Sequence, residues 1–343
     1  MSRLVQILVG CAISALAVYY LLQQVRPDEL AQVLSTARPL PIVLLVISMI
    51  GAMLTRAARW QVFFLPTRRV AYRPLYETLA ISYMASTFLP LRAGEFVRAV
   101  FLGSRESIAI PRVIGTILLE KLFDFLAIGI MLAILLLLQP PGLPVAATVA
   151  GISILTVIVV GFGWVVGLAV WREPSLRFVK FVQHALPFRA GQRVRLEPMA
   201  RQFAEGTDSL RVWRLWIRLL AWTTATWLCS LVSTWAGLAA LNLDPGLPAM
   251  LFVLVLTSSG QAIPSSPGYV GVFHAAATAA LVAFGVDPAS ALACAVLTHA
   301  FTYGTLVVLG LIALWTGGYS LSDLRIGLTT PPRADPLPAA PDA

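Results

Sequence analysis

Residues 145–171 read VAATVAGISILTVIVVGFGWVVGLAVW, 27 consecutive positions without one ionisable side chain. A helix needs about 20 apolar residues to cross the hydrocarbon of a bilayer. Water has no use for such a segment, so it is a membrane span. Comparable runs occupy 4–22, 40–55, 111–138, 219–241 and 289–315. Composition agrees: 58% of the 343 residues are hydrophobic and 12% are charged, with a mean hydropathy of +0.83. Soluble domains carry roughly 25% charged residues. The chain therefore reads as an all-α polytopic integral membrane protein. The first run, 4–22, is about as long as a full span and ends in tyrosines without a small-residue cleavage site. It is expected to stay as a helix rather than leave as a signal peptide.

A net charge of +9 and a pI near 10 raise nucleic acid as a partner. The basic residues lie beside apolar segments, as in cytoplasmic membrane loops, and form no basic groove lined by aromatics, so that class is excluded. Cys11, Cys229 and Cys294 all fall inside apolar runs, which gives neither a disulfide framework nor a metal-ligand spacing. No cofactor is expected.

Two apolar regions are broken. One, within 76–103, contains TFLPLRAGEFVRAVFLG; the other, 248–285, contains SSGQAIPSSPGYVGVFHAAATAAL. Pro90 precedes Gly94 by four positions, and Pro264 precedes Gly268 by four. Proline and glycine interrupt helices, and a broken helix survives at membrane depth only when buried or lining a wet cavity. Treating both regions as hairpins that leave on the side they enter gives about six full spans plus two re-entrant hairpins. With the N-terminus in the cytoplasm, the cytoplasmic segments then hold Arg3, nine arginines from Arg56 to Arg112, ten basic residues in 172–218, and Arg325 and Arg333. The outer segments hold Arg26 and Arg38. That asymmetry puts both termini in the cytoplasm of a cell-membrane protein.

In this topology the hairpins enter from opposite sides, the arrangement of an inverted repeat around a central site. Two unrelated kinked helices would leave the same trace. The expected organisation is a single transmembrane domain over 1–320, with a first repeat at about 40–138 and a second at about 219–316. Between them, 172–218 reads as basic amphipathic helices on the cytoplasmic surface. Residues 321–343 read as a disordered proline-rich tail. The repeat also predicts that the second tip approaches Gly94 and Glu95.

Charges interrupt the first broken region at spacings of three: Arg92, Glu95 and Arg98. Once the segment after Gly94 is helical, they share a side. The next span adds Glu120, Lys121 and Asp124, with Glu120 and Asp124 four apart on one face. Charges at membrane depth cost several kcal/mol and rarely face lipid. They can neutralise one another, hold a charged headgroup or, for Arg92 and Arg98, reach the interface along their alkyl stems.

At this point a resemblance becomes specific. PLRAGEFVR, 90–98, resembles the P-x-R-x-G-E-x-x-R motif of the lysylphosphatidylglycerol synthase transmembrane-region, or flippase-domain, family. EKLFD resembles the family's E-R-x-x-D element, with Lys121 at the arginine position. PSSPGYVGVFH resembles P-x-x-P-G-G-x-G-x-x-E, and LTRAARWQVFF resembles the arginine- and tryptophan-bearing end of an early span. The matches run in family order from about 40 to 315. Tyr269 replaces the second glycine of the turn and His274 replaces the glutamate, which implies a stiffer turn and the loss of an anion.

The resemblance implies transbilayer handling of a lipid, by a stand-alone member without the soluble aminoacyltransferase domain. It adds Pro264, Pro267, Gly268, Gly271 and His274 to the candidate transport site. A histidine there, with an unperturbed pKa near 6.5, pairs with Glu95, Glu120 or Asp124 or else makes a local hydrogen bond.

Three functions fit these residues. The first is a flippase or transporter of a polar or charged lipid, whose partners are anionic or modified phospholipids or glycolipids. The second is a non-catalytic membrane partner of a lipid- or glycan-modifying enzyme. The third is a membrane enzyme using Glu95, Glu120, Asp124 and His274 as acids or bases. The transport reading is preferred, and the protein is not expected to be an enzyme.

Overall fold

A computed structural model describes residues 25–65, 67–89, 93–140, 145–171, 190–261 and 266–319, with isolated positions at 15, 16, 19, 21, 23, 173 and 177. Arg92, Pro264, the 321–343 tail and most of the first predicted span lie outside them. The described regular structure is helical: α1 (Pro27–Ser35), α2 (Pro39–Phe64), α3 (Tyr72–Phe88), α4 (Ala93–Glu106), α5 (Ile110–Leu138), α6 (Val145–Val170), α7 (Ala190–Glu205), α8 (Trp213–Ala240), α9 (Gly246–Gly260), α10 (Val272–Ala283) and α11 (Pro288–Gly317). Short 3-10 turns stand at Asp208–Arg211 and Pro267–Tyr269.

Helices α2, α5, α6, α8 and α11 are long and apolar enough to cross a bilayer. The protein is an all-α, multi-pass membrane protein. Local chemistry sets several ends. Proline opens α1, α2, α5 and α11, where its missing N–H leaves no helical bond unmade. The Asp287 carboxylate accepts from the Ser290 N–H at the start of α11, and Gly318 closes that helix in the left-handed conformation. Two boundaries differ from the sequence reading. Helix α8 starts at Trp213 rather than 219, because Arg214 and Arg218 are exposed in its opening turns and need not end an apolar run. Helix α1 forms in a segment read only as polar, with Asp28 and Glu29 in its first turn, where carboxylates meet the positive end of the helix dipole.

The two broken regions are helical hairpins, α3–α4 and α9–α10. Their arms have 17, 14, 15 and 12 residues. At about 1.5 Å per residue they reach roughly 18–26 Å, short of the ~30 Å hydrocarbon core. Each hairpin follows one long helix and precedes another, so α2–α5 and α8–α11 share one plan. The halves meet along α2 and α8. Arg38 N–H donates to the Ala240 carbonyl, Cys229 lies beside Gly51, Thr226 donates to Thr55, and Arg59 donates to Thr223. The numbers rise along one helix as they fall along the other, so the pair is antiparallel. The first arm of each hairpin packs against the last helix of the other half: α3 on α11 and α9 on α5.

These contacts define two faces. On the first lie the start of α3, the end of α4, the starts of α5 and α8, and the end of α11. Glu77 ties three of them, accepting from Arg73 at 2.7 Å and from Arg105 at 2.6 Å, while Arg73 also donates to the Thr316 carbonyl. On the second face lie the start of α2, the end of α8, the start of α9 and the start of α11, where Leu21 and Val25 cover Leu292. The hairpins thus enter from opposite faces, as an inverted repeat requires. Arginines 68, 69, 73, 105, 112, 211 and 214 crowd the first face; among the described residues, Arg26 and Arg38 lie at the second.

Helix α6 stands outside both halves. It packs along α5, with Ile158 against Gly129 and Leu132 against Gly151, and leaves Val157, Val160 and Trp164 exposed for lipid. Within the predicted surface segment 172–218, residues 172, 174–176 and 178–189 lie outside the description. Helix α7 belongs to the described part of this segment. It docks on the first turn of α5 through an Arg112–Glu205 ion pair.

By the charge-asymmetry rule the arginine-rich face is expected to be the cytoplasmic one. Single cysteines at Arg211 and Asp244, in a background lacking the three native cysteines, should react with a membrane-impermeant maleimide from opposite sides. Position 211 should label only after the cytoplasmic side is opened. Labelling of both positions in intact cells would refute the two-hairpin topology.

Candidate functional site

Three helices of the first half converge at the depth where its hairpin turns. Helix α2 contributes Arg56, Arg59 and Trp60, spaced three and four apart and therefore on one side. Helix α4 contributes Glu95 and Arg98, and α5 contributes Glu120, Lys121 and Asp124. Arg98 and Glu120 approach to 2.5 Å with side chains 3% and 1% exposed. The Arg98 guanidinium lies 3.6 Å from the centre of the Trp60 ring, and the Trp60 N–H donates to Thr116. Arg59, fully buried, meets Asp124 at 2.8 Å; Arg56 meets the other oxygen of the same carboxylate at 3.4 Å. Lys121 and Glu95 pair at 2.8 Å, each about a third exposed.

The charges therefore have two duties. Arg98–Glu120 and Arg59–Asp124 are largely buried among helices and hold α4, α5 and α2 together, while Asp124 and the edge of Arg98 border the cavity. Desolvating each ion costs several kcal/mol, offset only by close pairing and further contacts such as the tryptophan face. Lys121 and Glu95 are the most accessible of the charges, and Arg56 and Asp124 reach the cavity with smaller exposed portions. Four described cations, Arg56, Arg59, Arg98 and Lys121, stand against three carboxylates, Glu95, Glu120 and Asp124, leaving one positive charge in excess. Arg56 carries the surplus, since it shares Asp124 with the closer Arg59.

Beside this cluster lies a cavity of about 280 Å³ bounded by both halves. Arg56, Glu95, Arg98, Lys121 and Asp124 form one wall. The other wall comes from α8, α9, α10 and α11. It presents the hydroxyls of Ser230, Ser233, Thr234, Thr257, Ser258, Thr298 and Thr302, with the rings of Trp227, Tyr269, Phe273 and Tyr303.

Gly94 does not line this cavity. Its carbonyl accepts from the Ser82 hydroxyl, and a Cβ at position 94 would run into the Ser82 carbonyl and Ser86, so glycine is what lets α4 lie against α3 and aim Glu95 inward. Pro267, Gly268 and Gly271 shape the second tip. Gly268 sits at φ 67°, and a Cβ there would stand 3.3 Å from the Thr87 carbonyl, so the second tip packs closely against the last turn of α3 on the first hairpin. Tyr269 also has a positive φ, 57°, a conformation that costs a side-chain-bearing residue about 1–2 kcal/mol. Its ring lines the cavity near Tyr303.

His274 is placed otherwise than the acid-pairing expectation. Its Nδ1 accepts from the Gly271 N–H, satisfying an amide at the start of α10, and its ring lies 4.6 Å from that of His299. His299 Nε2 is 2.8 Å from the Gly268 carbonyl. The two imidazoles buttress the tip from behind and do not line the cavity.

Sequence reasoning missed Arg56, Arg59 and Trp60 as site residues because the apolar run was ended at 55. The available signal was the continuation WQVFF: the helix stays apolar to Phe64, which places both arginines inside it.

The chain matches the lysylphosphatidylglycerol synthase TM region family over residues 7–310. It belongs to that family. It is also 28% identical, over 370 aligned positions, to a protein of Haloferax volcanii named Glycosyltransferase AglD. That alignment covers 96% of this chain and 56% of the relative, so the chain spans little more than half of that protein's length. No solved structure matches the chain. The family match includes the helices that carry the cluster and both hairpins.

Two variants separate support from contact. Glu120→Gln leaves Arg98 buried without a counter-charge and should destabilise the protein by about 3–5 kcal/mol. Replacing both partners, Arg98→Met with Glu120→Leu, should recover most of that loss. Denaturant unfolding of the purified protein in detergent reads the difference; equal midpoints for Glu120→Gln and the native chain would remove the pair from its structural role. Tyr269→Gly should raise the midpoint by relieving the left-handed backbone, and a fall would show that the ring's packing outweighs the strain.

Proposed function

We propose that the protein moves a lipid with a polar or charged headgroup between the leaflets of the cell membrane, with its arginine-rich face and both termini in the cytoplasm. The observation that carries this is the cavity's position. It lies where two hairpins of opposite entry meet, bounded by both halves, with a surplus cation on its wall. A headgroup crossing bare hydrocarbon leaves its hydration behind. Here Lys121 and Arg56 replace that hydration with charge-assisted hydrogen bonds to phosphate, and Glu95 and Asp124 keep the cations from standing unpaired when the cavity is empty. Because the hairpin arms are short and the halves share one plan, a small rocking of one against the other would open the cavity to either face in turn. Membership of a family named for a phospholipid synthase's membrane region supports a lipid as the cargo.

A second reading has one observation in its favour. The H. volcanii relative is named a glycosyltransferase, and this chain aligns with little more than half of it. A partnership with a lipid- or glycan-modifying enzyme, through the exposed side of α6 or through α7, fits that relation and is compatible with transport.

Vesicles reconstituted with the protein and a fluorescent phospholipid test the proposal. Chemical quenching of the outer leaflet reports exchange. Native protein should accelerate it, and Arg56→Gln or Lys121→Gln should slow it about 10–100-fold, the loss expected for a charged hydrogen bond worth roughly 1.5–3 kcal/mol. Arg211→Gln, far from the cavity, should match the native rate. Native rates in both cavity variants would overturn the site assignment.

A further inference from the structure

The two walls of the cavity differ in kind. Between residues 219 and 316 the chain has no lysine or arginine, and its only carboxylates are Asp244 and Asp287. Asp244 is exposed beyond the end of α8, and Asp287 caps α11. The second half therefore brings no charge to the cavity. What it brings are hydroxyls, the Gln261 amide and the Trp227 indole, and bonds made by four of the hydroxyls fix their polarity. Thr257 donates to the Val253 carbonyl at 2.7 Å and Thr298 to Cys294 at 2.6 Å; Ser230 and Thr234 donate in the same way to Thr226 and Ser230. A hydroxyl whose proton is committed to its own helix offers only lone pairs to a ligand. The Trp227 indole N–H, buried without a hydrogen-bond partner among the described residues, adds one donor against these four committed acceptors, so the wall favours a ligand that brings several donors together with an acceptor, as a polyol does.

Two kinds of headgroup bring donors: ammonium groups and neutral hydroxyls. Magnitudes choose between them. An ammonium taken from water without a counter-anion loses several kcal/mol, and the carboxylates across the cavity are already engaged by Lys121 and the two arginines of α2. The aromatic faces could return about 0.5–2 kcal/mol by cation–π contact, less than the loss. The excess positive charge of the first wall opposes a second cation as well. Neutral hydroxyls carry a penalty of only about 1–3 kcal/mol each when unmatched, and here they are matched. The rings of Tyr269, Phe273 and Tyr303 supply flat apolar surface for the C–H face of a polyol. A volume of about 280 Å³ accommodates a compact headgroup. The acyl chains are left to lipid at the rim, where Phe125 is 45% exposed.

We infer that this cavity takes a lipid phosphodiester whose substituent is neutral and polyhydroxylated, of the glycerol, inositol or hexose type, in preference to one bearing an ammonium. The phosphate lies toward Arg56 and Lys121, and the hydroxyls lie against α8 and α11. This specifies the cargo of the transport reading and rests on it.

Binding to the purified full chain in detergent, read by native mass spectrometry, tests the preference apart from transport. Phosphatidylinositol and phosphatidylglycerol should be retained at least tenfold better than phosphatidylethanolamine, and better than phosphatidylserine, which matches their net charge but carries an ammonium. Thr234→Val and Thr298→Val should each weaken phosphatidylinositol several-fold while leaving phosphatidate, which has phosphate alone, unchanged. Thr298→Ser should restore binding, and if Thr298→Val misfolds, Thr234→Val decides. Equal or better retention of the ammonium lipids, or unaltered binding in the valine variant, would overturn the inference. Competition by free inositol phosphate as effective as by the lipid would overturn the lipid assignment. Leaflet exchange without headgroup preference defeats this inference alone; preferential binding without exchange defeats the transport reading and leaves the preference standing.

Discussion

A charge placed among hydrocarbon and apolar side chains must find its opposite, and the first half of this protein is built around that demand. Arg98 cannot leave Glu120 without stranding an ion that water cannot reach. Their pairing draws the returning arm of the hairpin onto α5, and the Trp60 face under the guanidinium draws both onto α2. Arg59 and Asp124 repeat the device between α2 and α5, with Thr223 extending it to α8. Once these ions are paired, Lys121, Glu95 and Arg56 have little freedom in where they point, and the charged wall of the cavity follows.

The second half meets a different constraint with different chemistry. Its hairpin breaks at a tip where Gly268, Tyr269 and Gly271 all have positive φ, and backbone groups freed by the break need partners. His299 and His274 supply two of them. Imidazoles serve here as local hydrogen-bonding struts, which leaves the cavity side of the tip to the tyrosine ring. The asymmetry between halves is what gives the chamber its character: one wall of ions, one wall of hydroxyl acceptors and rings, around a shared space. A lipid headgroup has the same division, an anionic phosphate joined to a polar substituent.

Much of this was legible in the residues. The uninterrupted run at 145–171 and its counterparts could only be spans, since about 20 apolar residues in a row have no other stable surroundings. Pro90 with Gly94, and Pro264 with Gly268, marked where helices must break, and hairpins follow both marks. Glu95, Arg98, Glu120, Lys121 and Asp124 stood out because ions are rare in such surroundings, and they do assemble. Arg56 and Arg59 read only as the arginine-bearing end of an early span and count to its cytoplasmic flank, not to the site. Only the continuation of α2 to Phe64 sets them inside. The hydroxyl wall had no signal at all: serines and threonines scattered over α8, α9 and α11 are ordinary in membrane helices until they share a cavity.

By itself the sequence determined that the chain lives in a bilayer, that its elements are helices, where two of them break, and which ions need burial. These are one-dimensional consequences of hydrophobic length, backbone stereochemistry and the cost of desolvating charge. Which ion pairs with which, that His274 faces the tip and not the acids, and that one half faces the other with uncharged acceptors were decided by tertiary structure. Those outcomes depend on how α2 and α8 pack antiparallel and how each hairpin leans on the other half's last helix, contacts between residues more than a hundred positions apart that no local pattern encodes.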